Sequence, residues 1–142
     1  MMFKEFDTYL DGYMTLDYWY DEGFDFAREL LHDFSIDDWN KLREKLANKN
    51  DEWKLRLAYA IDSDCGSEGM VTLISLLSTD SLELLEVVLD SMRTYENIPQ
   101  YENGVSLKKL ITEQTNRLKE RCLESKPIQL MVADLLHKMD HK

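Results

Sequence analysis

Proline and glycine are scarce, two and five in 142 residues, so long helical segments meet few interruptions. Cysteine is scarcer still. Cys65 and Cys122 stand alone without a CxxC spacing, which leaves no disulfide framework and suits a reduced compartment. No apolar run approaches the ~20 residues that cross a bilayer. The opening MMFKEFDTYLDG carries charges where a signal peptide needs an apolar core. Export is therefore not expected, and a cytoplasmic setting is. The phosphate-cradling patterns GxGxxG and GxxxxGK[ST] are missing, as is the GxSxG nucleophile elbow. Bases are nearly absent from residues 1–40, where Lys4 and Arg28 face 11 acids, a local net charge of −9. Residues 41–142 hold 17 acids and 15 bases, so most of the overall −11 sits in the first segment. Such a field repels nucleic acid and anionic membrane and attracts a basic partner.

What is present reads as helix throughout. With 44% hydrophobic and 32% charged residues, the chain suits one folded domain over 1–142. Residues 1–15, with Phe3, Phe6, Tyr9 and Tyr13, form a strap or a short helix. From Leu16 to Phe34 the residues Leu16, Tyr20, Gly23, Phe24, Ala27, Leu30, Leu31 and Phe34 share one arc at about 100° per residue. Asp17, Asp21, Asp25 and Glu29 then face solvent, with Trp19 and Phe26 half exposed at the edge. Ser35 is an N-cap for a helix with Trp39, Leu42 and Leu46 inward, and Asn50 caps another with Trp53, Leu57, Ala60 and Ile61 inward. After a break at 62–69, Met70 to Leu77 is apolar nearly all round. Asp80 and Glu83 resemble a capping box. Pro99 lies in the longest loop, 93–104. Leu107, Leu110, Ile111, Leu118 and Cys122 line a longer helix. Lys126-Pro127 opens the last, with Ile128, Met131, Leu135, Leu136 and Met139 buried. The expected class is all-α, six to seven helices in a short stack of antiparallel hairpins: 16–93 as one group, 105–140 as a C-terminal pair.

Candidate chemistry is sparse. Glu29 with His32, and Asp134 with His137, have the i,i+3 spacing used by metal-binding bundles. The intervening Leu-Leu pairs read as core, which turns both pairs toward water, so no metal and no cofactor is expected. Asp62, Asp64 and Glu68 fall at positions one, three and seven of a loop, but the later acids of a calcium loop are missing. Cys122 reads as packing, and the acidic surroundings of Cys65 disfavour a thiolate. What remains is an acidic surface with interleaved aromatics: Asp17, Asp21, Glu22, Asp25, Asp37 and Asp38 for charge, and Trp19 or Phe26 as an anchor.

The runs Phe34-Ser35-Ile36-Asp37-Asp38-Trp39 and Asp51-Glu52-Trp53-Lys54-Leu55-Arg56-Leu57-Ala58 belong to a larger pattern. It includes Leu76-Leu77-Ser78-Thr79-Asp80 and Leu89-Asp90-Ser91-Met92-Arg93. Over about residues 27–93 it resembles small bacterial HEAT-like helical proteins found among the immunity proteins of toxin systems, including contact-dependent inhibition. The resemblance implies a non-enzymatic inhibitor that binds a cognate toxin C-terminal domain in the cytoplasm. The acidic segment fits a basic toxin such as a nuclease. No nucleic acid, membrane or small-molecule substrate is expected as a partner. The alternative is a helical-repeat scaffold or adaptor for another protein.

Overall fold

The computed structural model describes residues 2–99, 101–102, 104–117 and 125–140. The described chain is all-α apart from one two-residue ladder. Its helices are α1 (Met2–Asp11), α2 (Leu16–Tyr18), α3 (Phe24–His32), α4 (Ile36–Lys45), α5 (Asp51–Ala60), α6 (Gly66–Leu76), α7 (Leu82–Met92), α8 (Leu107–Arg117) and α9 (Lys126–Asp140). A π-turn, Trp19–Gly23, joins α2 to α3 without a break. The count is close to the expected six to seven: residues 1–15 take the short-helix form of the two expected, and the 16–34 segment is divided by that turn.

The helices fall into two rows. α1, α3, α5, α7 and α9 pack side by side in that order, while α4 and α6 lie behind them against α1, α5 and α7. A segment of three turns is marginal alone and gains its stability from the stripe it buries. α5 shows this best, because it sits mid-row. Trp53, Leu57, Ala58 and Ala60 are all buried there, and Ile61 continues the core just past its end. α7 contributes Leu84, Leu85, Val88, Leu89 and Met92 to the same interior. Gly104 has φ 79°, a left-handed turn between Tyr101–Glu102 and Val105–Ser106, which pair antiparallel.

Caps set the helix starts. Asn50 Oδ1 accepts from Trp53 N–H at 2.9 Å. α7 is capped by Ser81, whose Oγ accepts from Leu84 N–H at 3.2 Å. The expected Asp80/Glu83 box is thus displaced by one residue, and Asp80 instead pairs with Arg117 of α8. α9 opens at Lys126-Pro127 as expected, and Ile128, Met131, Leu135 and Met139 are buried. Cys122 and Leu118 lie outside the described residues.

The strongest cap is at α4. Ser35 Oγ accepts from Asp38 N–H at 3.2 Å, and the Asp38 carboxylate accepts in return from Ser35 N–H at 3.0 Å. Its other oxygen accepts from Phe3 N–H, also at 3.0 Å, which ties the first turn of α1 to the start of α4. Asp38 is only 4% exposed. It therefore serves the interior, not the solvent-facing charge expected of it. Burial acts to raise its pKa, but the hydrogen bonds from Ser35 and Phe3 outweigh burial and hold it below the usual carboxylate value.

Asp38→Ala strands two backbone N–H groups and should cost about 2–3 kcal/mol in urea unfolding at pH 7. Because the folded-state pKa is depressed, this contribution is complete above the unfolded value of ~3.9. It disappears as pH falls through the folded value. The gap between wild type and variant should therefore narrow at acid pH, and an unchanged gap below pH ~3 would refute this role.

Candidate functional site

The helical run over 16–32 does not keep one phase. Thr15 Oγ1 accepts from Tyr18 N–H at 3.1 Å and starts α2. Phe24 N–H then donates to the carbonyl of Trp19, five residues back, in place of the usual four. In a uniform helix at about 100° per residue, Trp19 would point some 80° away from Ala27, eight residues on. The wide turn removes that offset. Trp19, Gly23, Ala27 and Leu31 all face the core, and Trp19 is 5% exposed.

Three contacts hold the turn. A Cβ on Gly23 would lie 2.9 Å from Trp19 Cε3 and 3.3 Å from both Met14 Sδ and Tyr18 Cε2, so only glycine fits under the indole. Arg56 of α5 donates from Nη1 to the carbonyls of Leu10 (2.7 Å) and Gly12 (2.9 Å), which closes the C-terminal end of α1. Its guanidinium carbon also lies 5.9 Å from the Trp19 ring centroid. Tyr9 and Tyr18 share a hydroxyl hydrogen bond of 3.0 Å. Burial, then that bond, pushes the Tyr9 phenol well above its ordinary pKa.

The consequence lies on the outside. Leu16 and Tyr20, expected in the buried arc, are 73% and 52% exposed. Tyr13, Tyr18 and Phe26 are exposed beside them. Asp17, Asp21, Glu22 and Asp25 are exposed on the same helical run. Of the predicted docking residues, Asp17, Asp21, Glu22, Asp25 and Phe26 are exposed along this run, with Phe26 against Tyr9 of α1 at 4.7 Å. The structure withdraws Trp19 into the core and Asp38 into the α4 cap. Asp37 is exposed but sits by the N-terminal end of α1, roughly 15 Å from the first acids, the length of that ten-residue helix. Leu16 and Tyr20, read into the buried arc, are surface residues. The only local signal was Gly23 four residues after Trp19.

Comparison with protein-family models, curated proteins and solved structures finds no match. Geometry alone therefore describes the site. Tyr20 stacks edge-on to Tyr59 of α5 at 5.5 Å, and Phe24 does so at 5.3 Å. Phe24 and Tyr59 in turn enter a groove of about 780 Å³ that runs along α3, α5, α7 and α9 to the exposed Leu130. Its charges are mixed: Arg28, Glu86, Asp90, Arg93 and Lys126. Tyr20 meets this groove through Tyr59, while Tyr18 and Phe26 meet Tyr9 of α1 on the other flank.

Of the two carboxylate–histidine spacings, one histidine and one acid have partners from other elements. His32 directs Nε2 to Asp62 at 3.5 Å, and Asp134 binds Arg93 at 3.1 Å. Glu68 leaves the supposed calcium loop for Arg43 at 2.7 Å. Cys65 Sγ lies 3.8 Å from Asp62 Oδ1, and burial pushes its thiol up to about 11. Among the described residues no helix is long and apolar enough to cross a membrane.

Gly23→Ala should lose about 1 kcal/mol net. Overpacking against the indole costs ~1–3 kcal/mol, and the better helix propensity of alanine returns up to ~1. Trp19 should shift outward, with a red shift in tryptophan emission. A variant with unchanged emission and raised stability would show that the turn does not depend on this close contact.

Proposed function

We propose that this protein is an immunity protein that neutralises a cognate toxin domain, a basic nuclease being the partner its charge fits best. The observation that carries the reading is the outward face of residues 13–26. Tyr13, Leu16, Tyr18, Tyr20 and Phe26 stand exposed among Asp17, Asp21, Glu22 and Asp25. Large apolar side chains left in water beside like charges are costly unless a partner covers them, and aromatic anchors ringed by charge are how protein interfaces are built. The field of −9 over residues 1–40 steers a cationic domain toward this face, while the aromatics supply the desolvated contact. The function is binding, in the cytoplasm, with no reaction catalysed.

A helical scaffold or adaptor for a different protein is the second reading. The long mixed-charge groove along α3, α5, α7 and α9 favours it, since such a surface suits an elongated, less basic partner.

The test is whether the product of an adjacent reading frame is a toxin domain that co-purifies with this chain and is neutralised by it in a growth assay. Association should slow about tenfold or more between 50 and 500 mM salt. The triple variant Asp17→Lys, Asp21→Lys, Asp25→Lys should fold normally, because all three side chains are exposed, yet lose protection and bind at least a hundredfold more weakly. Intact protection by that variant would move the interface away from this face. Equal affinity for a neutral or acidic domain would favour the scaffold reading.

A further inference from the structure

We propose a divalent transition-metal site, of the kind that takes Zn²⁺, at His32, Asp62 and Cys65. It rests on none of the surface features argued above. Two elements meet there: the C-terminal turn of α3, which carries His32, and the α5–α6 connection, where Asp62 caps the short 3₁₀ turn Ser63–Cys65. One donor atom from each residue lies within 4.8 Å of the other two. Asp62 Oδ1 is the common point, 3.5 Å from His32 Nε2 and 3.8 Å from Cys65 Sγ. A tetrahedral Zn²⁺ with ordinary bond lengths needs about 3.3 Å between nitrogen and oxygen donors and about 3.5 Å between sulfur and oxygen. The His32 and Cys65 donors, within 4.8 Å of each other, need about 3.5 Å, and rotation of the exposed His32 ring toward the thiol closes the difference.

The surroundings prepare this arrangement. Arg28 is fixed by the carbonyls of Ala60 (3.0 Å) and Tyr59 (3.2 Å), and its Nε lies 3.3 Å from Asp62 Oδ2. The guanidinium thus occupies one carboxylate oxygen and turns the other toward His32 and Cys65, as an outer hydrogen bond does for a metal-ligating carboxylate. Asp64 N–H donates to that inner oxygen at 3.1 Å and holds the turn in place. The Arg28 charge weakens attraction for a cation, and the thiolate formed on binding offsets it. The donor set is nitrogen, oxygen and sulfur, which selects Zn²⁺ or Co²⁺ over Ca²⁺ or Mg²⁺. On binding, the Cys65 S–H bond breaks, its proton goes to solvent, and the sulfur electron pair binds the metal. His32 is exposed, so the fourth position opens to water. The bound ion would staple α3 to the α5–α6 connection.

Titration of the reduced full-length protein with Co²⁺ tests the site. One Co²⁺ per chain should bind, with a thiolate-to-cobalt charge-transfer band and tetrahedral d–d bands that Zn²⁺ removes. Cys65→Ser should abolish the charge-transfer band, and Cys122→Ser should leave it intact. His32→Gln, a change on an exposed side chain, should weaken binding at least tenfold while helicity by circular dichroism stays unchanged. Zn²⁺ at a hundredfold excess over its Kd should raise the Tm by about 5–10 °C. No stoichiometric Co²⁺ binding, a band that survives Cys65→Ser, or a band lost in Cys122→Ser would overturn the assignment.

Discussion

The contact between the Trp19 indole and the bare backbone of Gly23 is the constraint on which the exposed surface depends. Because nothing larger than hydrogen fits at position 23, the indole folds inward, and the backbone widens by one residue to let it. Everything N-terminal to the turn then rotates relative to α3. Leu16 and Tyr20 come outward, beside acids at 17 and 21 that are exposed as the regular pattern expects. A π-turn exchanges one regular hydrogen bond for a local change of direction, and such turns recur where a surface serves a purpose. Arg56 makes the arrangement permanent by holding the end of α1 and lying over the same indole.

Elsewhere the fold is secured by polar side chains that reach across the core to helix ends and connections. Ser91 of α7 donates to the carbonyl of Ala58 at 2.6 Å, and Gln114 of α8 donates to that of Thr79, also at 2.6 Å. Both residues are buried; Ser91 satisfies a carbonyl in the last turn of α5, and Gln114 one in the loop between α6 and α7. Asp7 of α1 accepts from Lys49 at 2.6 Å and from the Trp53 indole at 3.1 Å. These bonds fix the register between elements that hydrophobic packing alone would leave free to slide. The Asp38 cap belongs with them: one carboxylate joins α4 to α1 by satisfying donors at both starts.

Charge acts on two scales in this molecule. The acidic surplus of residues 1–40 spreads over many exposed side chains and works through a long-range field, which salt weakens. At Asp62 a single carboxylate works at contact distance, divided between Arg28 on one oxygen and His32 with Cys65 on the other. The first suits the capture of a cationic protein, the second the retention of a small cation.

The all-α class, the starts of α4, α5 and α9, and the buried stripes of α5 and α9 were legible in the residues themselves. Ser35, Asn50 and Lys126-Pro127 carry local cap chemistry, and apolar spacing repeats every turn. The acidic character of the first forty residues was equally plain from composition. So was the outward direction of Asp17, Asp21, Asp25 and Glu29; the inward turn of Asp38 was not. Asp38 looks like its neighbour Asp37 until α1 arrives with the Phe3 N–H, and Trp19 looks like a surface aromatic until α5 presents Arg56. His32 read as a partner for Glu29 because sequence spacing sees only its own helix, whereas Asp62 reaches it from 30 residues away. Local chemistry decides where helices begin and which way a regular stripe points. Contacts between distant segments decide where that regularity breaks, because only they can repay a lost backbone bond or a buried charge.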